Sequence, residues 1–139
     1  MAATRRRPPA QPLRLILDSG AVIALSRGDS RARSHLAQAI ATKTRVEIPL
    51  VVLAETLRGG ARDAMTYRLL KAVGSVPEMH EAHGRLAGEL LGQARMSATI
   101  DALVVAQAVE MGGAAILTGD RDDLMRLAAE HPEVEIRSL

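Results

Sequence analysis

The chain has 139 residues, enough for one domain that buries roughly two thirds of the surface its unfolded form exposes. It contains no cysteine, which excludes disulfides, thiolate metal sites and Cys-based catalysis and leaves oxygen and histidine as the possible metal donors. The net charge is +2, and without Arg5, Arg6 and Arg7 the remainder carries −1, so the body is not strongly basic; with Tyr67 as the one aromatic residue, base recognition by aromatic stacking is also disfavoured.

Residues 1–12 are rich in arginine and proline and read as a disordered tail. The arginine triplet stands before an apolar stretch, as in an export signal. Three prolines intervene, however, and Asp18 ends the stretch after Leu13–Leu17, short of the roughly 7–15 residues such a signal needs. No apolar run approaches the ~20 residues of a membrane span, so the expectation is a soluble, cytoplasmic protein without a membrane partner.

The domain proper is read as 13–139. Leu13-Arg14-Leu15-Ile16-Leu17 suits a strand buried on both faces of a parallel sheet. Helices follow at about 20–27 and 30–42, with Gly28 and Asp29 as punctuation and Ser30 as a candidate N-cap. Val46-Glu47-Ile48 is a second strand, and Pro49 opens a helix that Gly59-Gly60 should stop. Another helix spans roughly 62–73, and Ser75-Val76-Pro77 is at best a brief edge strand. Helices at about 80–95 and 99–111 precede a buried strand at 114–118. A helix from Asp120 to about Glu130 and a strand at 134–136 close the chain.

Strands alternating with helices predict an α/β fold: three α/β/α layers around a central, mainly parallel sheet of about five strands. Such sheets bind ligands beyond the carboxyl ends of their strands, so acids just after buried strands are the candidates. Four stand out. Asp18 follows the first strand, Glu55 sits in the helix after Pro49, Asp101 lies in the first turn of a later helix, and Asp120 follows the strand at 114–118. Each has an ordinary alternative: Asp18 and Asp120 as N-caps, Asp101 as a dipole-favoured charge, and Glu55 as a partner of Arg58. Clustered without cations, the four would repel and take up protons unless a divalent ion neutralised them, and an all-oxygen donor set suits Mg²⁺ or Mn²⁺.

Four segments together resemble the PIN-domain family, close to its VapC-type toxin branch: Leu15–Leu25 around Asp18, Val52-Leu53-Ala54-Glu55, Thr99–Ala108 around Asp101, and Ile116–Leu124 around Asp120. The resemblance implies that Asp18, Glu55, Asp101 and Asp120 form an acidic quartet around the metal, with Ser19 and Thr118 at positions where the family keeps small hydroxyl residues. It further implies a Mg²⁺-dependent (or Mn²⁺-dependent) endoribonuclease acting on an RNA substrate. As partners it implies a small cognate antitoxin and a second copy in a homodimer. Asp123 reads first as half of a capping-box-like pair with Asp120, against a metal-related role, and Asp122 as solvated. His35, His80, His83 and His131 lie in or at the ends of predicted helices without metal-ligand pairing, and His80 and His83, three apart, read as solvated.

Several rival readings fail on residues. A phospho-receiver would need a lysine where Thr118-Gly119-Asp120-Arg121 has none, a haloacid-dehalogenase-like phosphatase an aspartate where Gly20 stands, and a nucleotide-binding fold a glycine-rich loop after a strand. Two readings stay open: an RNA-processing nuclease without a toxin role, and a catalytically silent PIN-fold binding module.

Overall fold

The apolar run after Leu13 forms β1 (Arg14–Leu17), in which Leu15, Ile16 and Leu17 have no exposed surface. In the computed structural model, which describes residues 13–73 and 75–139, β1 lies within a sheet containing β2 (Arg45–Glu47), β3 (Ala114–Thr118) and β4 (Val134–Ser138). The expected tail at 1–12 lies outside the described residues. The strand order is β2-β1-β3-β4 and every pairing is parallel, with Ile16 opposite Glu47 on one side and Ile116 on the other. β1 and β3 are the interior strands, which is why both are nearly continuous apolar runs. Each wholly buried leucine or isoleucine in them contributes roughly 1.5–3 kcal/mol.

The sheet has four strands among the described residues where about five were expected. Ser75-Val76-Pro77 contributes one bond, from the Ile48 N–H to the Ser75 carbonyl at 3.0 Å. Pro77 has no N–H with which to extend a ladder.

Among the described residues seven α-helices connect the strands: α1 (Ser19–Ser26), α2 (Ser30–Ala41), α3 (Leu50–Thr56), α4 (Ala64–Val73), α5 (Glu81–Ala94), α6 (Thr99–Glu110) and α7 (Arg121–Leu127). They form two groups. Helix α1 packs against α2, α3 and α4, while α5, α6 and α7 pack on one another and α6 also meets β3 and β4. The β1-to-β2 and β3-to-β4 connections run in opposite directions across the sheet, so right-handed crossovers put their helices on opposite faces and make three layers. Ala102, Ala106 and Ala108 on α6 are wholly buried, and their small side chains let neighbouring helices and strands approach closely.

Two turn assignments differ from those expected. Asp29, not Ser30, caps α2, its carboxylate accepting from the Ala32 N–H at 2.9 Å. Helix α3 stops at Thr56 rather than running to Gly59-Gly60, because the buried Asp63 carboxylate takes the Arg58 and Gly59 N–H groups, the latter at 2.7 Å. Between α6 and β3, Gly113 has φ +119°, and a Cβ there would stand 2.7 Å from the Glu133 carbonyl oxygen.

This topology sets the site. The chain leaves β1 towards β2 and leaves β3 towards β4, so the carboxyl ends of β1 and β3 flank the point where strand order reverses, which is where sheets of this kind form their ligand crevice.

Candidate active site

Asp18 is the first residue beyond β1 and the N-cap of α1. Its backbone N–H continues the β1–β3 ladder by donating to the Leu117 carbonyl at 3.0 Å. Its carboxylate is buried and held at both oxygens: Oδ1 accepts from the Ser19 N–H at 2.7 Å and Oδ2 from the Thr118 hydroxyl at 2.8 Å. Thr118, wholly buried at the last position of β3, also accepts from the Asp120 N–H at 3.0 Å. One hydroxyl thus ties the acid after β1 to the backbone that presents the acid after β3. Glycine makes the approach possible, since a Cβ on Gly20 would stand 3.0 Å from the Gly119 nitrogen.

Asp120 occupies the N-cap position of α7, but its side chain makes no capping bond and is exposed. The expected capping-box pairing with Asp123 is therefore not formed, and both carboxylates remain available. Asp101 lies half-buried in the first turn of α6, and Glu55 is exposed on α3, which packs against α6.

Electrostatics gathers these groups into one site. Asp101 is pushed up from 3.8 to about 6, first by burial and then by the charges of Asp18, Asp123, Glu55 and Asp120. Burial likewise raises Asp18 above 3.8; the bonds from Thr118 and Ser19 oppose it, and the charges of Glu55 and Asp120 reinforce it. Every charge acting appreciably on either group is a carboxylate. The four acids singled out in the sequence therefore sense one another across the crevice, and Asp123 joins them as the second strongest charge on Asp101.

Among the described residues no three histidine, cysteine, aspartate or glutamate side chains are already drawn to ligating spacing. Like charges without a counter-ion gain from standing apart. The donors nonetheless suit a hard divalent cation: they are all oxygens, and among the described residues they pair with no cation and the buried Ser19 hydroxyl beside Asp18 has no hydrogen-bond partner. A divalent cation bound here could draw on Asp18, Asp101, Asp120 and Glu55, with Asp123 at the margin.

Other charged residues sort away from the crevice. His83, expected to be solvated, is buried; its Nδ1 accepts from the His80 N–H at 2.8 Å, and the two rings stack with centroids 5.7 Å apart. Glu47, a strand residue that gave no signal in the sequence, is buried and bonded to Arg14 at 3.1 Å. The pairing follows from the diagonal of two parallel strands, with Arg14 opposite Arg45 and Glu47 two residues on. Asp63 was equally silent, because nothing in its local pattern marks a carboxylate that closes a turn four and five residues behind it.

Fold and site together define a parallel α/β domain that collects carboxylates at its switch point. The PIN domain profile matches residues 15–130, and the chain belongs to the PIN domain family. No curated protein matches the sequence. Solved structures similar to it include VapBC2 from Rickettsia felis bound to a DNA fragment from its promoter (TM-score 0.73, 15% identity, 91% of this chain and 98% of that one). A toxin–antitoxin complex from Klebsiella pneumoniae (0.65, 19%, 86% and 94%) and FitAcB from Neisseria gonorrhoeae (0.66, 16%, 88% and 95%) are also similar. At these identities the likeness establishes the fold.

Proposed function

We propose that this PIN domain is a Mg²⁺- or Mn²⁺-dependent endoribonuclease, the cytoplasmic toxin of a bacterial toxin–antitoxin pair. The observation that carries the nuclease reading is the convergence of Asp18, Glu55, Asp101 and Asp120 from four separate segments on one crevice in which every strong charge is negative. The toxin reading is supported by solved structures of the same fold, which include a VapBC2 assembly and a toxin–antitoxin complex. Among the described residues no helix is long and apolar enough to cross a membrane.

A bound divalent ion would polarise a phosphodiester and make water a competent nucleophile near neutral pH. The chain's own residues prepare for it. Thr118 and the Ser19 N–H fix the Asp18 carboxylate so that it offers its remaining lone pairs in one direction. Asp101, raised towards 6, is in equilibrium with its protonated form in mildly acidic solution and is fully available as a ligand above it. Exposed Glu55 is suited to orient the attacking water and take its proton. A second copy of the chain and a small antitoxin would cover apolar side chains such as Leu50 on α3 and Tyr67 on α4, which are exposed.

The test is cleavage of structured and single-stranded RNA by the purified protein with Mg²⁺, with Mn²⁺ and with EDTA, alongside Asp18→Asn and Asp101→Asn. Activity that needs the metal and falls about 100-fold or more in both variants is the expected result. Cleavage unaffected by EDTA and by both substitutions would refute the metal mechanism.

A further inference from the structure

A second concave feature lies at the opposite end of α1 from Asp18. It is a cleft of about 420 Å³ lined by Ile23, Arg27, Arg58, Arg62 and Met65 together with Ser26, Thr56 and Thr66, which are hydroxyl residues, and by Asp63. Three guanidinium groups around one cleft have a structural explanation to be met first. Helices α1 and α3 both end here, and cations gather at the negative ends of helices. That accounts for Arg58, whose Nη1 donates to the Ala54 and Leu57 carbonyls at 3.2 and 2.8 Å. It places Arg27 too, as the C-cap of α1, but it gives neither the Arg27 guanidinium nor that of Arg62 a hydrogen bond or ion pair among the described residues. The one acid in the lining makes no ion pair with either of them among the described residues. Asp63 is buried and its carboxylate is engaged by the Arg58 and Gly59 N–H groups.

We propose that this cleft is a phosphate-binding subsite for the RNA backbone, with Arg27 and Arg62 as the residues that engage it. The inference rests on the ribonuclease reading above and adds where the substrate strand runs. Helix α1 has eight residues and so spans about 12 Å, with Asp18 at its start and Ser26 and Arg27 at its end. A strand whose scissile phosphate sits at the carboxylates therefore reaches the guanidiniums within a few nucleotides. The arrangement answers a difficulty built into the crevice, which repels the anionic backbone that it must cut; free arginines a helix-length away hold the strand without diluting the acids' charge on the ion. Forked guanidinium donors suit phosphate oxygens, and the exposed flanks of Ile23 and Met65 leave room for a sugar edge.

Fluorescence anisotropy with a labelled 20-nucleotide oligouridine, in EDTA so that binding is read apart from cleavage, tests the proposal on the full chain. Arg27→Ala and Arg62→Ala should each weaken binding about 5-fold, and the double variant should lower the slope of log affinity against log salt by about 1.4, or 0.7 per phosphate. Arg85→Ala is the matched control, because Arg85 already pairs with Glu81 at 3.4 Å on α5, and it should change neither quantity. An unchanged melting temperature in the double variant separates lost contacts from lost fold. Binding by the parent that the double variant retains would overturn the cleft and leave the nuclease reading standing, whereas a parent that binds no RNA would overturn both. A polyglutamate 20-mer that binds as tightly as the RNA and loses as much in the double variant would assign the cleft to an acidic protein segment and refute the proposal.

Discussion

Asp101 bears the largest resolved electrostatic cost of the crevice. Its folded-state pKa of about 6 lies above the ordinary 3.8, so between those values the native state holds a proton that the unfolded chain has released. Its contribution to stability therefore falls as pH rises from about 4 to about 6 and is level above that. Asp101→Asn removes the penalty, and after allowance for solvent screening the metal-free variant should be roughly 1–2 kcal/mol more stable at pH 7.5. Denaturant unfolding in EDTA from pH 4 to 8 measures this; parallel curves for the two proteins would show that Asp101 is unperturbed. Thr118 invites the complementary substitution. Thr118→Val leaves the buried Asp18 Oδ2 and the Asp120 N–H without a partner, and a cost of about 1–3 kcal/mol is expected, with Thr118→Ser recovering most of it. If valine and serine unfold alike, the hydroxyl is not what holds the two strand ends together. Asp18, Asp101 and Asp120 were legible in the sequence because each follows a strand or opens a helix in a recognisable segment. Asp123 was misread because capping logic sees only local neighbours, whereas its effect is on Asp101, twenty-two residues away and on another helix.

Elements were legible where a single period rules over several residues. The buried runs of β1 and β3 and the long apolar face of α6 needed no tertiary information, and their observed ends fall within a residue or two of those expected. The misses came where a side chain from elsewhere competes for the backbone. Asp63 ends α3 early by supplying acceptors that a continuing helix would have drawn from its own carbonyls, and Asp29 takes the cap that Ser30 could have filled. The turn from α6 into β3 is more demanding still. Gly113→Ala would place a methyl group 2.7 Å from the Glu133 carbonyl oxygen in a backbone region that L-residues rarely adopt, and a loss of at least about 2 kcal/mol is expected. Gly112→Ala is the comparison: its φ is +83° with no atom near its Cβ position, so its smaller loss would isolate the steric part. Equal losses would mean that backbone conformation alone sets the cost.

At the scale of the whole molecule, the site joins both helical layers: α1 and α3 come from one group of helices and α6 and α7 from the other. An ion held by Asp18, Asp101, Asp120 and Glu55 would therefore bind only the native arrangement and stabilise all of it, by about 2.7 kcal/mol at a hundredfold excess over the dissociation constant. Titration with Mg²⁺ or Mn²⁺ should raise the melting temperature progressively in the wild type and far less in Asp18→Asn. A melting temperature indifferent to both ions up to millimolar concentration would remove the divalent ion from the proposal.

The pairing of β1 with β3 also governs when in synthesis the acidic site can form. Asp18 and Thr118 bond across 100 residues of chain, and the ladder between Ile16 and Ile116 spans the same distance. A nascent chain that has displayed Asp18, Glu55 and Asp101 still has no β3 beside β1 and lacks the Thr118 hydroxyl that holds Asp18 Oδ2. Since contacts so distant along the chain form late, assembly of the site must wait until β3 has left the ribosome. Translation broken off before that point yields a fragment that carries most of the acids and none of the geometry, so under the proposed function incomplete products are harmless by construction.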